Sequence, residues 1–304
     1  MAHQDAKKAL TDRTAKAWHS ALTRFVYPTL GALDIRDVRH AHIVAALKPV
    51  ALAAGPKNKG LGGPHVANSL RSRLERIIDW AGSHGWRDAD AVNPARRELL
   101  RDVIGSRAQV VHFATCAIDD APALYAKIAG AGGSIYRAIE LLLLTAVRLR
   151  ECLDARFSEF DLEREIWVIP SSRTKTKREH VVPLSAPALA IVRGQQALYS
   201  GEVIFPGRGG SPFGSFTALE ALRRLGVEGV TLHGFRSLCR DVMADRLEID
   251  HETAEFILAH VKRGVEGAYR RETALAKRAV AMQRYADFLL GKAAETNVVA
   301  FARK

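Results

Sequence analysis

Residues 165–184 read EIWVIPSSRTKTKREHVVPL, in which two apolar runs flank a polar and basic segment. The runs at 165–170 and 179–184 follow the two-residue alternation of a half-buried strand. The residues between them, 171–178, are all polar and include four Lys or Arg side chains. This stretch therefore predicts a β-hairpin with a charged tip.

Helical periodicity flanks the hairpin on both sides. Residues 123–144 form an apolar helical region, and the last helix has an apolar stripe that ends before a glycine at 291. The N-terminal part carries a similar stripe. The two stripes consist of Leu275, Ala279, Met282, Ala286 and Leu289, and of Leu70, Leu74, Ile77, Ile78 and Ala81. We therefore expect a mainly α protein with a small antiparallel β-sheet.

Two breaks in the helical pattern suggest a division into domains. Asn93-Pro94 ends the N-terminal helical pattern, because a residue that precedes proline avoids the α region. A flexible element at 104–106 follows. We predict a helical domain over 1–105, a linker over 106–115, an α+β domain over 116–291 and a tail over 292–304.

The composition excludes several classes of protein. Of the 304 residues, 48% are apolar and 26% charged, as in folded globular proteins. Three cysteines without a CxxC motif argue against a disulfide scaffold and favour a reducing compartment. The chain has no apolar run that could span a bilayer, and its first twenty residues lack the core of a signal peptide. We therefore expect a soluble intracellular protein.

The charge points to a polyanionic partner. The chain carries a formal net charge of +12, and residues 1–110 contain 18 basic against 10 acidic side chains. Either nucleic acid or an anionic membrane surface fits this excess. Arg71, Arg73 and Arg76 lie on one predicted helix. They form either a solvated face or a surface laid along DNA phosphates.

The second half of the chain places a set of functional side chains in a fixed order. An arginine follows the apolar helix in TAVRLRE (145–151), a lysine lies on the hairpin, and an HxxR pair, a second histidine and a tyrosine follow. The set is Arg148, Lys175, His233, Arg236, His260 and Tyr269. In this order the residues resemble the tyrosine recombinase (phage integrase) family. The hairpin and the AYRR segment at 268–271 are most similar to integrases of prophages and genomic islands.

The resemblance implies a helical core-DNA-binding domain followed by a catalytic domain. Tyr269 would attack the scissile phosphate and become covalently joined to the DNA 3′ end. Arg148 and Arg236 would clamp the non-bridging oxygens, since guanidinium groups bind phosphate bidentately. The matching carboxylate, Glu151, would support the site.

The remaining roles implied by the resemblance concern protons. Lys175 would protonate the departing 5′ oxygen, His233 would exchange a proton with the tyrosine, and His260 would hydrogen-bond the phosphate. Lys177 is an alternative to Lys175. The hairpin text favours Lys175 as the acid and leaves Lys177 as a DNA-backbone contact.

Three further positions carry open or structural interpretations. Ala146 stands where the family usually has glycine, which puts the local turn geometry in question. His180 either approaches DNA or caps its strand, and Tyr285 is most simply a packing residue.

The spacing of His260 and Tyr269 makes a structural prediction. Nine residues of continuous helix would place the two side chains on opposite faces, about 13.5 Å apart along the axis. They can share a site only if the helix is broken. We therefore predict a turn near 261–265, with Tyr269 on a separate short helix.

The implied function is that of a site-specific DNA recombinase that integrates or excises mobile DNA. The implied partners are double-stranded DNA at a core recombination site, a homo-tetramer on paired sites, and accessory DNA-bending or directionality factors. Neither a cofactor nor a metal is implied, no membrane is involved, and the location is the cytoplasm of a prokaryote, at the nucleoid. Island-type integrases also have an N-terminal arm-binding domain, which is either naturally absent here or removed. Three rivals remain: a type IB topoisomerase-like enzyme, a DNA-binding protein with an inactive centre, and a membrane-surface protein.

Overall fold

The computed structural model describes residues 12–53, 62–105, 115–260 and 268–292, apart from the side chains of residues 13 and 268–273. The chain divides into two compact units, 1–111 and 112–304. The described residues contain no helix with the length and apolar character that a membrane span requires.

The described part of the first unit is helical. Its α-helices are α1 (Asp12–Phe25), α2 (Tyr27–Leu30), α3 (His40–Leu52), α4 (Pro64–Ser83) and α5 (Arg101–Ile104), with a 3₁₀ turn at Arg97–Leu100. α4 begins with proline at its first position, where the missing N–H costs no helical hydrogen bond. The predicted stripe of α4 is confirmed: Leu70, Leu74, Ile78 and Ala81 are buried and Ile77 packs at the edge of the core.

Asn93 has a different role from the one its sequence context predicts. α4 already ends at Ser83, so Asn93-Pro94 does not terminate it. The Asn93 side chain instead donates to the Glu75 carbonyl and to Asp79, and accepts from the amide of Ala95. Asn93 therefore fastens the returning chain to the side of α4.

The second unit contains the predicted hairpin and eight α-helices among its described residues. The helices are α6 (Ala121–Ala129), α7 (Ser134–Thr145), α8 (Leu149–Leu153), α9 (Ala186–Leu198), α10 (Ser215–Arg224), α11 (Gly234–Asp245), α12 (His251–Ile257) and α13 (Ala268–Leu289). Further 3₁₀ turns lie at Ile118–Asp120, Phe157–Glu159 and Arg208–Gly210. The apolar region that the sequence presents as one helical stretch, 123–144, is two helices, since Gly133 adopts a φ of 105° between them.

α7 is the central helix of this unit. Residues 138–145 of α7 are all buried, and α6, α9, α10, α11 and α13 pack around it. A helix that is apolar on every side is stable only when it is surrounded in this way.

The sheet has three antiparallel strands in the order β1 (Phe160–Asp161), β2 (Ile166–Ile169) and β3 (His180–Pro183). The pairing of Trp167 with Val182 and of Ile169 with His180 confirms the hairpin. Strand β1 was not expected, because two residues carry no detectable period. The C-terminal helix α13 stops at Leu289, and Gly291 follows with a φ of 66°, which confirms the glycine cap.

Candidate active site

Arg148 lies in the turn between α7 and α8. Ala146 ends α7 in the left-handed conformation, with a φ of 50°. This conformation strains an alanine, and glycine avoids the strain because it has no Cβ. Ala146 nevertheless keeps the turn, fully buried and with its amide donating to the Leu142 carbonyl at 2.9 Å. The chain re-enters a helix at Leu149, which leaves Arg148 at the N-terminus of α8.

Glu151 holds Arg148 with both of its carboxylate oxygens. Oε2 accepts from the backbone amide of Arg148 at 2.9 Å, and Oε1 accepts from its Nη1 at 3.1 Å. The Glu151 carboxylate is buried, whereas the Arg148 side chain is partly exposed. The pair therefore fixes the guanidinium while leaving one side of it open to solvent.

Arg236 ties the Arg148 turn to the end of α12. It is 5% exposed, and its guanidinium donates to the carbonyl of Ala146 and to the carbonyl of Leu258 at 2.6 Å. Burial, with a smaller contribution from the positive charge of Arg148, lowers the pKa of Arg236 to about 10. The group therefore stays protonated at neutral pH, and the two arginines form one electropositive centre.

His260 contacts the same guanidinium. Its Nε2 lies 3.1 Å from Nη2 of Arg236, and its Nδ1 lies 3.3 Å from the Glu255 carboxylate. A guanidinium can only donate, so Nε2 must accept and the proton of the neutral ring sits on Nδ1. Desolvation and the charge of Arg236 lower the pKa of His260, which agrees with a neutral ring.

His233 and Lys175 complete the group. His233 is exposed immediately before α11, three residues ahead of Arg236. Desolvation lowers the pKa of His233, and the charges of Arg236, Arg148 and Lys175 lower it further. Lys175 therefore acts on the same centre from the hairpin loop, where it is exposed.

The loop that carries Lys175 is closed by the buried Thr174. The hydroxyl of Thr174 donates to the Arg178 carbonyl at 2.7 Å and accepts from the Arg178 amide at 3.1 Å. Lys177 is exposed and takes the left-handed conformation, with a φ of 56°.

Tyr269 lies in the first turn of α13, and its side chain is outside the described residues. α12 ends at Ile257, Ala259 follows with a φ of 51°, and His260 is not helical, so His260 and Tyr269 do not lie on one unbroken helix. The predicted turn at 261–265 falls outside the described part of the chain. The helix of Tyr269 is separate from α12, but the prediction that it is short is wrong: Tyr269 is the second residue of the 22-residue C-terminal helix. No Gly or Pro stops that helix between Tyr269 and its apolar stripe.

A second ion pair, between Arg173 and Glu159, was not predicted from the sequence. Arg173 donates to both oxygens of Glu159 at 2.6–2.7 Å and to the Glu151 carbonyl at 3.1 Å, while Trp167 donates to Glu159 at 2.9 Å. Arg173 thus connects the hairpin to α8. In the sequence, Arg173 is one of four basic residues in the loop 171–178, and nothing there distinguishes it from the other three.

Of the three arginines predicted to contact DNA, Arg71 does not fit a phosphate-binding role. It is 7% exposed, and its guanidinium donates to Asn68, to Glu75 at 2.7 Å and to the Ala95 carbonyl at 3.1 Å. The expectation that it contacts DNA is therefore corrected. Arg73 and Arg76 instead lie over the ring of Trp18, 5.6 and 5.0 Å from its centroid, and Arg76 is exposed.

The Arg148–Glu151 pair allows stability and chemistry to be separated. Arg148→Met should cost about 2–4 kcal/mol of unfolding free energy, because it leaves a buried carboxylate without its charge partner. Adding Glu151→Gln should recover most of this stability without restoring DNA cleavage. Urea unfolding and a cleavage assay check the two parts. A double variant that is no more stable than Arg148→Met would contradict the assignment of the pair.

His180 should make folding sensitive to acid. It is buried, and burial together with the charges of Arg278, Arg236 and Arg148 lowers its pKa to about 3. The unfolded chain, with a histidine pKa near 6.5, binds the proton first, so stability is lost as the pH falls below about 6.5. The expected loss is about 2 kcal/mol between pH 6.5 and pH 5.

Urea unfolding of the wild type and of His180→Phe at pH 7, 6 and 5 measures this loss. The variant should show a shallower pH dependence, whatever its stability at pH 7. Equal slopes for the two proteins would show that His180 is not the group responsible.

Two protein-family models match the chain. Residues 1–98 match the phage integrase central domain, and residues 117–274 match the phage integrase family. The prophage integrase IntZ of Escherichia coli K12 is 32% identical over 284 residues, which cover 90% of this chain and 65% of that protein. The prophage integrase IntA of the same strain is 30% identical over 301 residues, covering 96% of this chain and 68% of that protein. The chain thus spans about two thirds of the length of these curated relatives.

A solved structure shares the fold. A lambda integrase tetramer bound to a Holliday junction superposes with a TM-score of 0.64 at 18% identity, covering 88% of this chain and 77% of that one. The expected fold class, mainly α with a small antiparallel sheet, is confirmed, and so is the resemblance read from the sequence. The chain belongs to the phage integrase family of tyrosine recombinases.

Proposed function

We propose that this chain is a site-specific DNA recombinase that cleaves and rejoins DNA strands through a covalent 3′-phosphotyrosine, and so integrates or excises mobile DNA. The observation that carries the proposal is the convergence of Arg148, His233, Arg236 and His260, with Lys175 acting electrostatically on His233. These residues come from segments that are more than a hundred positions apart in sequence. A cluster of cations around neutral histidines suits a phosphodiester, which is anionic and needs both charge stabilisation and proton transfer.

The cleavage step would run as an in-line displacement. The phenol oxygen of Tyr269 forms a bond to phosphorus while the bond from phosphorus to the 5′ oxygen breaks. The phenol proton passes to His233, which is neutral and can accept it, and Lys175 gives a proton to the 5′ oxygen. Rejoining is the reverse, with the 5′ hydroxyl of the partner strand as the attacking group.

The two arginines would stabilise the charge of the pentacoordinate phosphorus. His260 would take a phosphate contact only by changing state, because its Nε2 faces Arg236 and its Nδ1 faces Glu255. The approach of an anion raises a histidine pKa, so the ring can then carry a proton on Nε2 and donate it to a phosphate oxygen.

We assign residues 1–105 to core-DNA binding, 106–115 to a linker, 116–291 to catalysis and 292–304 to a tail. The basic charge of the first hundred residues and the match to the central integrase domain support the first assignment. The substrate would be a double-stranded core site, and strand exchange would require a tetramer on paired sites. Accessory DNA-bending or directionality factors are further partners in this proposal, which places the reaction at the nucleoid of a prokaryotic cell.

Strand exchange tests this proposal against its rivals. Two duplexes of different length that carry the element's core sites should yield recombinant duplexes of mixed length. Relaxation of supercoiled DNA without exchanged products would favour a topoisomerase-like activity. Binding without any cleavage would favour an accessory DNA-binding protein.

We propose that Arg73 and Arg76 in the first unit, and Lys177 on the hairpin of the second unit, contact DNA phosphates. Arg76→Ala should weaken binding of any duplex and reduce the slope of log K against log salt by about 1. Arg71→Ala is the matched control on the same helix: it should lower stability and leave the slope unchanged. Fluorescence anisotropy between 50 and 300 mM salt measures the slopes. An unchanged slope for Arg76→Ala would remove that residue from the interface.

A further inference from the structure

Helix α13, whose first turn carries Tyr269, is hydrogen-bonded to β3, the strand that follows the lysine loop. Nη1 of Arg278, on α13, donates to the carbonyl of Val181, on β3, at 2.8 Å. A second bond, from the amide of Ala186 to Oε1 of Gln283 at 2.9 Å, joins the same helix to the chain just after β3. Among the described residues β3 pairs with β2 alone, so Arg278 occupies a carbonyl of an edge strand.

His180 lies directly beside this connection. The residue is 7% exposed, and neither ring nitrogen makes a hydrogen bond of full geometry, although the backbone of Ile257 lies close enough to oppose part of the fall in its pKa. Burial and the charges of Arg278, Arg236 and Arg148 lower the pKa of His180, so the ring is neutral. A protonated side chain here would add a fourth positive charge to a buried cluster, which is strongly unfavourable.

The Arg278–Val181 bond joins the segments that carry Lys175, the proposed acid, and Tyr269, the proposed nucleophile. Lys175 precedes β3 by five residues, in a loop that leads straight into the strand. Tyr269 precedes Arg278 by nine residues, which is about 13.5 Å along the helix axis. The bond thus fixes the position of the lysine loop relative to the helix of the nucleophile.

The exposed tip of the lysine loop is held less firmly than α13. α13 is fixed in the core by Met282, Tyr285, Ala286 and Leu289, all of which are 0–1% exposed. Arg173 and the buried Thr174 anchor the base of the loop 171–179, but residues 175–179 are all exposed. If the link breaks, the helix should stay and the lysine loop should move.

We propose that Arg278 is a positioning residue that holds the Lys175 loop in register with the tyrosine helix. This inference rests on the proposed function, because it assumes that Lys175 protonates the 5′ oxygen. Arg278 does not touch the reacting atoms. It acts through β3, to which its guanidinium donates.

The test uses two versions of a nicked suicide core site, one with the natural 5′ oxygen and one with a bridging 5′ sulfur. A thiolate leaves without a proton, so the sulfur substrate bypasses the acid. Arg278→Met should cleave the oxygen substrate about 10- to 100-fold more slowly than the wild type and the sulfur substrate within about 3-fold of it. Lys175→Ala should show the same pattern with a larger defect. Arg284→Met, an exposed arginine on the same helix, is the matched control and should cleave both like the wild type.

The results distinguish a failure of the positioning role of Arg278 from a failure of the proposed function. Wild-type rates on the oxygen substrate, or an equal defect of Arg278→Met on both substrates, would overturn the positioning role. Arg278→Lys, which keeps one donor, should be intermediate on the oxygen substrate. Failure of the wild type to form an adduct with either substrate would instead reject the proposed function itself.

Discussion

Tyr269→Phe is expected to abolish the covalent protein–DNA adduct on a nicked core-site substrate, while DNA affinity stays within about 2-fold of the wild type. The phenol oxygen is the one atom removed, and in the proposed reaction it forms the bond to phosphorus. The phosphate-binding arginines remain, so the DNA should still be held. No other side chain on the described part of α13 can substitute easily, since Tyr285, the other tyrosine of this helix, is fully buried.

Denaturing gel electrophoresis of the trapped complexes measures this prediction, with band-shift titration as the control for binding. Tyr285→Phe should form the adduct at the wild-type rate if the variant folds. An adduct that persists in Tyr269→Phe would contradict the assignment of the nucleophile.

Arg236→Ala is expected to lower the cleavage rate by about 10³-fold or more, which is the range for removing a guanidinium from a phosphoryl-transfer site. Arg236 also donates to the Ala146 and Leu258 carbonyls and contacts His260, so its loss disturbs the α7–α8 turn and the end of α12 together. Part of the effect would therefore come through Arg148 and His260.

Arg236→Lys separates charge from geometry. It keeps the positive charge but loses the planar fork, so it should remain at least about 10²-fold slower than the wild type. Single-turnover cleavage gives the rates, and thermal unfolding identifies any variant that is merely unstable. A lysine variant with wild-type cleavage would mean that Arg236 contributes charge alone.

The sequence predicted the elements whose signal is local. The hairpin follows from the alternation on both sides of the loop 171–178, and α4 and α13 follow from their apolar stripes. The order of the candidate site residues was enough to indicate the family, because each lies in a short motif at a fixed place along the chain.

Contacts between distant segments could not be predicted in the same way. Arg71 looked like a surface residue because its partners come from the same helix and from Ala95, 24 positions later. Likewise, nothing in the sequence indicates that Arg278 reaches Val181, 97 positions away, or that Arg173 pairs with Glu159. Such bonds depend on how helices pack, which periodicity does not specify.

The hydrogen bonding and burial of the histidines could not be predicted from the sequence either. The text HxxR places His233 near Arg236 but does not reveal that His260 accepts from the same guanidinium, or that His180 is buried among three arginines. These features arise from burial and from the end of α12, where the helix stops at Ile257.

The most direct test of the central claim is to identify the amino acid that carries the DNA in the trapped wild-type adduct. Digestion of the adduct with protease and nuclease, followed by mass spectrometry, should find a 3′-nucleotide on Tyr269 in the peptide between Arg263 and Arg270. A nucleotide on any other residue, or an adduct joined through the DNA 5′ end, would contradict the account.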